Sequence, residues 1–585
     1  MKVLLTAINA KYIHSNLAVY SLKASAGEYK DNVEIAEFTI NNQADYILEE
    51  IYKRKPDVLM FSCYIWNLSM IEEVMREFHK LCPNVPIWLG GPEVSFETEA
   101  FLEKHPEVTG LMMGEGEETF RELCGLYVEH EKQNTCLEKA ELEHIKGISF
   151  SCEGEGGRTI VVNEWRPIMD MSTLPFSYDK MADFSNRIIY YESSRGCPFS
   201  CSYCLSSVDK KLRFRDLELV KEELQFFIDQ KVPQVKFVDR TFNCHHEHAM
   251  GIWKYIQEHD IGVTNFHFEV SADLLNDEEL ALMRQMRPGL IQLEIGVQST
   301  NEVTIKEIKR TMKLERLKEI VEKVKSFGNI HQHLDLIAGL PYEDYATFRK
   351  SFDEIYALQP NQLQMGFLKV LKGSYMYEHA NEYGILYHDN PPYEVLATKW
   401  LSYDDVLKMK RIEEMLEVYY NSGQFEISMK VLGTHFGSAF DMFQKLGDFY
   451  EVNGYFGMSH SRMRRCEILM EFLEKEWENA FNAEDRMHCI REALVFDLYY
   501  RENCKSRPAW ACSLDEIKAY ARFYCKNGKM SHLEKFSYDF LGENYARCIE
   551  PIWVLFSYDK RDALSHQAKV EYVRPEEDIQ KENEE

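Results

Sequence analysis

Over its first 130 residues the chain alternates short apolar runs with amphipathic stretches. KVLLTAI, VEIAEFTI, DVLMFSC, VPIWLGG and TGLMMG read as strands, and helical periodicity falls between them near residues 16–27, 43–54, 67–81, 96–104 and 117–129. That alternation predicts a doubly wound parallel sheet over residues 1–130. Such sheets bind ligands beyond the carboxyl ends of their strands. Asn9–Ala10, Ser62–Cys63, Gly90–Gly91–Pro92 and Gly114–Glu115–Gly116 therefore form a candidate ligand face, with glycines where a backbone must turn or approach closely.

Residues 131–187 read as a linker holding a hairpin, GISFSCEGEGGRTIVVN, that turns at Gly154–Gly157. Alternation then resumes with a different rhythm. RIIYYESS, QVKFVD, FHFEVSA, LIQLEIGV, HQHLDLIAG and NQLQMGFLKV are strand candidates. Helical stretches near 217–230, 246–259, 277–286, 301–327 and 343–358 separate them. Six such units over 188–374 predict a partial barrel rather than a closed eight-fold one. Residues 375–550 carry long amphipathic segments (402–420, 461–481, 485–500) and predict a helical domain. A terminal hairpin is expected at 551–573, and a charged tail at 574–585 is expected to stay disordered.

The 585 residues carry 68 basic and 96 acidic side chains, a formal charge of −28, which argues against nucleic acid as a partner. The strip Lys210, Lys211, Arg213, Arg215 is a local exception that equally suits a solvated loop. No run approaches the roughly 18 apolar residues of a membrane span, and the amino terminus lacks a cleavage pattern. Fifteen scattered cysteines suggest reduced thiols and a cytoplasmic setting.

Residues 192–205, ESSRGCPFSCSYCL, place Cys197, Cys201 and Cys204 in a C-x-x-x-C-x-x-C spacing. Gly196 and Pro198 break any helix there, so the cysteines sit on a loop at a strand's carboxyl end, where barrels place chemistry. Three thiolates can hold three irons of a [4Fe-4S] cube and leave the fourth open. The competing reading, three packed thiols on a helix face, conflicts with those helix breakers.

This loop, with Tyr203 before the third cysteine, resembles the radical S-adenosylmethionine (radical SAM) superfamily. VKFVDRTF, FHFEVSADLL, LEIGVQS, DLIAGLP and FLKVLKGS resemble its later strands in order. The resemblance implies contacts to S-adenosyl-L-methionine from Tyr203, Asp239, Glu269, Ser271, Glu294 and Gln298. Each carboxylate also suits pairing with a barrel lysine or arginine. His331 and His333 share a strand face, while His245, His246 and His248 suit capping a helix start better than holding a metal.

WLGGPEVSFE and MMGEGEETF resemble the cobalamin-binding group of that superfamily, which implies a flavodoxin-like or Rossmann-like domain ahead of the barrel. Cobalamin would then meet Asn9, Lys11, Tyr12, Ser62, Gly90, Gly91, Gly114, Glu115 and Gly116. The D-x-H-x-x-G motif that supplies cobalt with a histidine is absent from residues 1–130. The implied activity is reductive cleavage of S-adenosylmethionine to a 5′-deoxyadenosyl radical, with methyl transfer from cobalamin to an unreactive carbon. An electron donor such as flavodoxin or ferredoxin is the implied partner. Radical chemistry without methyl transfer, and a non-catalytic cluster-bearing sensor, are the alternatives.

Overall fold

The computed structural model describes residues 1–578 apart from 155–156, 179–183, 185, 506, 512–514, 525–529, 543, 560 and 563. The first sheet holds β1 (Val3–Asn9), β2 (Val33–Thr39), β3 (Val58–Ser62), β4 (Ile87–Gly90), β5 (Gly110–Met112), β6 (Ile148–Gly154) and β7 (Gly157–Val162). Its spatial order is β2-β1-β3-β4-β5-β6-β7, parallel through β5. The parallel part is the doubly wound order expected from the alternation. All seven residues of β1 are buried, as a strand covered on both faces requires. On one face pack α2 (Ala44–Arg54), α3 (Leu68–Leu81) and α4 (Thr98–Lys104), through Ile47, Ile71, Phe78 and Leu102. On the other lie α1 (Leu17–Ser25) and α5 (Glu117–Gln133), through Val19, Phe120 and Leu123. The expected linker hairpin is part of this sheet: β6 pairs antiparallel with β5 after the short α6 (Lys139–Leu142). The turn itself lies partly outside the described residues.

The second sheet is the expected six-stranded partial barrel. Its strands are β8 (Ile189–Tyr191), β11 (Gln234–Phe237), β12 (Asn265–Val270), β13 (Ile291–Gln298), β14 (His331–Ala338) and β15 (Gln362–Phe367), all parallel and in that order. A small ribbon, β9 (Ser194–Arg195) with β10 (Arg213–Phe214), follows β8. The helices are α7 (Leu217–Asp229), α8 (His246–Glu258), α9 (Asp277–Gln285), α10 (Glu302–Glu307), α11 (Leu314–Phe327) and α12 (Tyr345–Ala357). Ile291, Leu293, Ile295 and Val297 of β13 are buried against that helical layer. The alternate residues, Gln292, Glu294, Gly296 and Gln298, face the barrel interior. One helix expected over 301–327 is two, because Lys309 takes a left-handed φ of 54° and the chain turns between α10 and α11.

Beyond the barrel, α13 (Tyr375–Glu378) and a ribbon of β16 (Leu386–Tyr387) and β17 (Val395–Ala397) lead into α14 (Tyr403–Leu416), α15 (Glu426–Gly433), α16 (Ala439–Val452), α17 (Arg462–Glu476), α18 (Ala483–Arg501) and α19 (Asp515–Tyr524). Asp497 of α18 accepts hydrogen bonds from Ile427 N, Ser428 N and Ser428 Oγ, which satisfies the start of α15. The expected terminal hairpin is a three-stranded sheet. β18 (Ser531–Tyr538), within the stretch expected to be helical, pairs with β19 (Arg547–Ser557), which pairs with β20 (Lys569–Val573). Residues 575–578 of the expected tail form a helical turn, and 579–585 lie outside the described residues. No helix among the described residues is long and apolar enough to cross a membrane.

Candidate active site

The cysteine loop hangs between β9 and β10. Gly196 holds φ at +87°, and a Cβ there would lie 2.5 Å from Lys211 O, so only glycine passes this crossing unstrained. Asp239, at the end of β11, is fully buried and braces the loop's root. One of its oxygens accepts from Ser193 Oγ and Ser194 Oγ, the other from Ser193 N. The resemblance implied that Asp239 would contact S-adenosylmethionine; in the structure both its oxygens accept hydrogen bonds inside the protein. Burial pushes its carboxyl up to about 6. His248 Nε2 lies 3.1 Å from Ser193 Oγ and extends the brace, while the His245 side chain accepts from His248 N at the start of α8, the capping role expected there.

Cys197 and Cys201 are buried and Cys204 is partly so, and all three thiols are free. Cys204 N donates to Cys201 O, Cys197 Sγ sits 3.7 Å from Thr241 Oγ1, and Arg310 Nη1 sits 3.8 Å from Cys201 Sγ. The same nitrogen lies 3.3 Å from Tyr203 Oη, and Nη2 donates to Gly296 O. Burial pushes the Cys201 thiol up, against the pull of Arg310. Three free thiols on one short loop, flanked by a guanidinium, fit the donor set of a thiolate-held cluster. A fourth cysteine, Cys244, has its thiol pushed up to about 11 by burial and, in the same direction, by the charge of Cys197.

The barrel wall below this loop offers polar groups without protein partners. Gln298 stands where the β13–β14 register shifts, at φ +73°, and its Oε1 is buried with no hydrogen bond. Strain and an orphaned acceptor together mark a residue shaped for a ligand. Glu269 makes no hydrogen bond to any described residue, and burial together with Glu294 pushes its carboxyl up to about 7. Ser271 is engaged: its hydroxyl donates to Asp273 and its N–H to Asn243. Glu294 is also engaged, with Lys236 Nζ at 2.8 Å and His267 Nε2 at 2.9 Å from one oxygen. Burial works against its charge, yet His267 and Lys236 hold its carboxyl well below the usual range. Arg310 was not legible in the sequence, because the turn that aims it into the barrel mouth lies inside a continuous helical pattern.

Two of the nine expected cobalamin contacts in the first domain, Lys11 and Tyr12, lie on an exposed loop after β1. Tyr12 is 64% exposed and packs under the Arg187 guanidinium at 5.0 Å. Asn9 is buried and donates to Glu37 Oε1 and His14 O, and Ser62 is buried too. Gly91 takes φ +120°, and a Cβ on it would lie 2.4 Å from Cys63 O, so the β3 and β4 ends meet backbone to backbone. After β3, Tyr64 and Trp66 stack at 4.3 Å and leave Trp66 44% exposed, a flat apolar platform that the sequence did not single out. The β5 end is covered. Gly114 faces Trp165, and Glu115 receives Arg195, Arg213 and Met169 N. Gly116 abuts Leu22. An open face with bare backbone and an exposed aromatic platform fits a large flat ligand over β1, β3 and β4 rather than β5.

Comparison with known proteins follows the same division. Residues 3–124 match the B12 binding domain, 191–355 the radical SAM superfamily, and 381–540 a family of unknown function, DUF4080. The chain is 26% identical over 338 residues to the cobalamin-dependent radical SAM methyltransferase TokK of Streptomyces tokunonensis, an alignment spanning 53% of this chain and 45% of that one. It is 28% identical over 320 residues to the 2-(S-pantetheinyl)-carbapenam-3-carboxylate methyltransferase of Streptantibioticus cattleyicolor, covering 50% and 44%. The chain thus spans less than half the length of these two relatives. Among solved structures, the cobalamin-dependent S-adenosylmethionine radical enzyme OxsB superposes with a TM-score of 0.57 at 16% identity, over 85% of this chain and 80% of that one. The radical S-adenosylmethionine methyltransferase TsrM of Kitasatospora setae gives 0.51 at 16%, over 67% and 80%.

Proposed function

We propose that this chain, which joins a B12-binding domain to a radical SAM barrel and a DUF4080 domain, is a cobalamin-dependent radical SAM methyltransferase. The observation that carries this reading is the loop of three free thiols at the barrel mouth, flanked by Arg310 and standing above the strained, unpartnered Gln298. Cys197, Cys201 and Cys204 would hold a [4Fe-4S] cluster, and S-adenosylmethionine would lie between Arg310, Gln298, Glu269 and Tyr203. Cobalamin would rest on the β1, β3 and β4 ends near Lys11, Tyr12, Gly91 and the Tyr64–Trp66 platform. When bound, the cluster supplies the electron that cleaves S-adenosylmethionine reductively, and cobalamin carries a methyl group.

The residues then divide their tasks. The Arg310 guanidinium can pair with an anionic group placed beside Cys201, and the Glu269 carboxylate can accept from an ammonium. The Gln298 amide oxygen awaits a hydroxyl or amine donor. Asp239, Ser193 and Ser194 fix the loop, and the amino-terminal domain closes the barrel mouth against water.

The test is anaerobic. Protein reconstituted with iron and sulfide, then given dithionite and S-adenosylmethionine, is expected to release 5′-deoxyadenosine and methionine and to retain corrin absorbance near one per chain. A bound cluster with no 5′-deoxyadenosine would replace this reading with the non-catalytic one. 5′-Deoxyadenosine without retained corrin would leave radical chemistry and remove methyl transfer.

A further inference from the structure

Deeper in the barrel, three ligand-bearing side chains converge on a point that the proposed reaction does not use. Glu294 on β13 and His333 and Asp335 on β14 each bring a ligand atom within 4.8 Å of the others. The register pairs Glu294 with His333 and Asp335 with Gly296. His333 Nε2 and Asp335 Oδ1 lie 3.0 Å apart. Both atoms are buried, yet neither makes an aligned hydrogen bond, and His333 is 8% exposed. Their separation is that of two ligands: about an ion 2.1 Å away, neighbours at right angles stand about 3.0 Å apart.

Glu294 is oriented for the same role. Lys236 donates to its Oε2, His267 Nε2 lies 2.9 Å from the same oxygen without an aligned hydrogen bond, and its other oxygen carries no hydrogen bond to a described residue. This is how supporting groups steer a liganding carboxylate. Glu269, Glu294 and Asp335 share this wall with Lys236 and Arg240, so the carboxylates outnumber the fixed cations by one.

We propose that Glu294, His333 and Asp335 form a binding site for one divalent first-row cation. An imidazole with two carboxylates selects manganese, iron or zinc over calcium, and three protein ligands leave coordination positions open toward the barrel interior. Along β13, Glu294 precedes Gln298 by four residues, about 13 Å of backbone.

Manganese is the probe, because it favours oxygen and imidazole over the thiolates that attract zinc. Mn²⁺ is titrated into anaerobic, cluster-loaded protein in its oxidised, diamagnetic state, and the free six-line resonance is followed. One equivalent is expected to fall silent and to reappear on addition of Zn²⁺. His333→Ala and Asp335→Asn should weaken uptake at least tenfold, and Glu294→Gln should do likewise, with iron and sulfide content unchanged as the check on folding. Wild-type protein that takes up no Mn²⁺ at millimolar concentration, or variants that bind as tightly as wild type, would overturn the site. Because the readout involves no cleavage of S-adenosylmethionine, its failure and the failure of the proposed function are separately visible.

Discussion

Arg195, two residues before the first cysteine of the loop, donates to Glu117 at the start of α5 in the amino-terminal domain. Its guanidinium also reaches Glu115 at 2.8 Å and Glu192 at 2.9 Å, so the root of the thiol loop is tied by charge to the other domain. Such a tie is mostly buried: Arg195 is 15% exposed and Glu117 7%.

Removing one partner from a buried network leaves charge without compensation, which costs about 3–5 kcal/mol. Arg195→Ala is expected to lower the urea midpoint and to open the 131–187 connection to protease. Arg195→Ala combined with Glu117→Gln should recover part of that loss. A single variant as stable as wild type would show that the two domains dock without this pair.

Gly196→Ala should cost the protein its iron. The new methyl group would meet Lys211 O, a backbone atom that cannot swing away, on top of the strain of a positive φ. Iron and sulfide per chain after anaerobic reconstitution should fall several-fold. Gly262→Ala is the control, since Gly262 shares a positive φ of 82° but has nothing within 4 Å.

Gly91→Ala tests the proposed cobalamin face. A methyl group 2.4 Å from Cys63 O would part the ends of β3 and β4. Retained corrin, read by absorbance after gel filtration, should drop at least tenfold while iron content stays at the wild-type level. Equal retention would move cobalamin off these strand ends.

Glu343 makes stability depend on pH. It is buried, accepts from Ser299 and Ser351, has Oε2 unpartnered, and burial pushes its carboxyl up to about 7. The folded protein therefore holds a proton that the unfolded chain has released above its ordinary value near 4.5. Stability contributed this way is complete below about pH 4.5 and is lost as pH rises toward 7. At about 1.4 kcal/mol for each pH unit, the loss is at most about 3.5 kcal/mol. Glu343→Gln should flatten the urea midpoint between pH 5 and about 8 relative to wild type; an unchanged slope would show that Glu343 is ionised throughout.

Much of this architecture was legible because it is written in local pattern. Two-sided burial of β1 and β3 shows as unbroken apolar runs, and the thiol spacing shows because Cys197, Cys201 and Cys204 share one short loop. What stayed hidden depends on distant contacts. A hairpin looks the same whether it hangs free or extends a sheet, so β6 and β7 read as part of a linker. Asp239 and Glu115 were visible as candidate ligands, but only the fold shows that Ser193, Ser194 and two arginines already occupy them. Arg310 lies in a stretch, TIKEIKRTMKLER, whose helical rhythm gives no sign of the turn that carries it to Cys201. β18 was folded into a helical reading because its partner strand arrives only after residue 546.

One backbone contact between the two sheets has a geometric consequence. His14, just past β1, bridges Ile188 at the foot of β8, with Ile188 N donating to Ile13 O at 2.7 Å and Tyr190 Oη 2.7 Å from His14 Nδ1. The first strand of each domain is thereby clamped to the other by main chain, and Arg187 paired with Glu37 and Ser15 donating to Ile188 O add side-chain ties. The five residues 10–14 act as a gauge block: lengthening the connection between the domains should leave the gap between the two mouths untouched, whereas adding or deleting one residue in that short loop should reset it by about 3 Å.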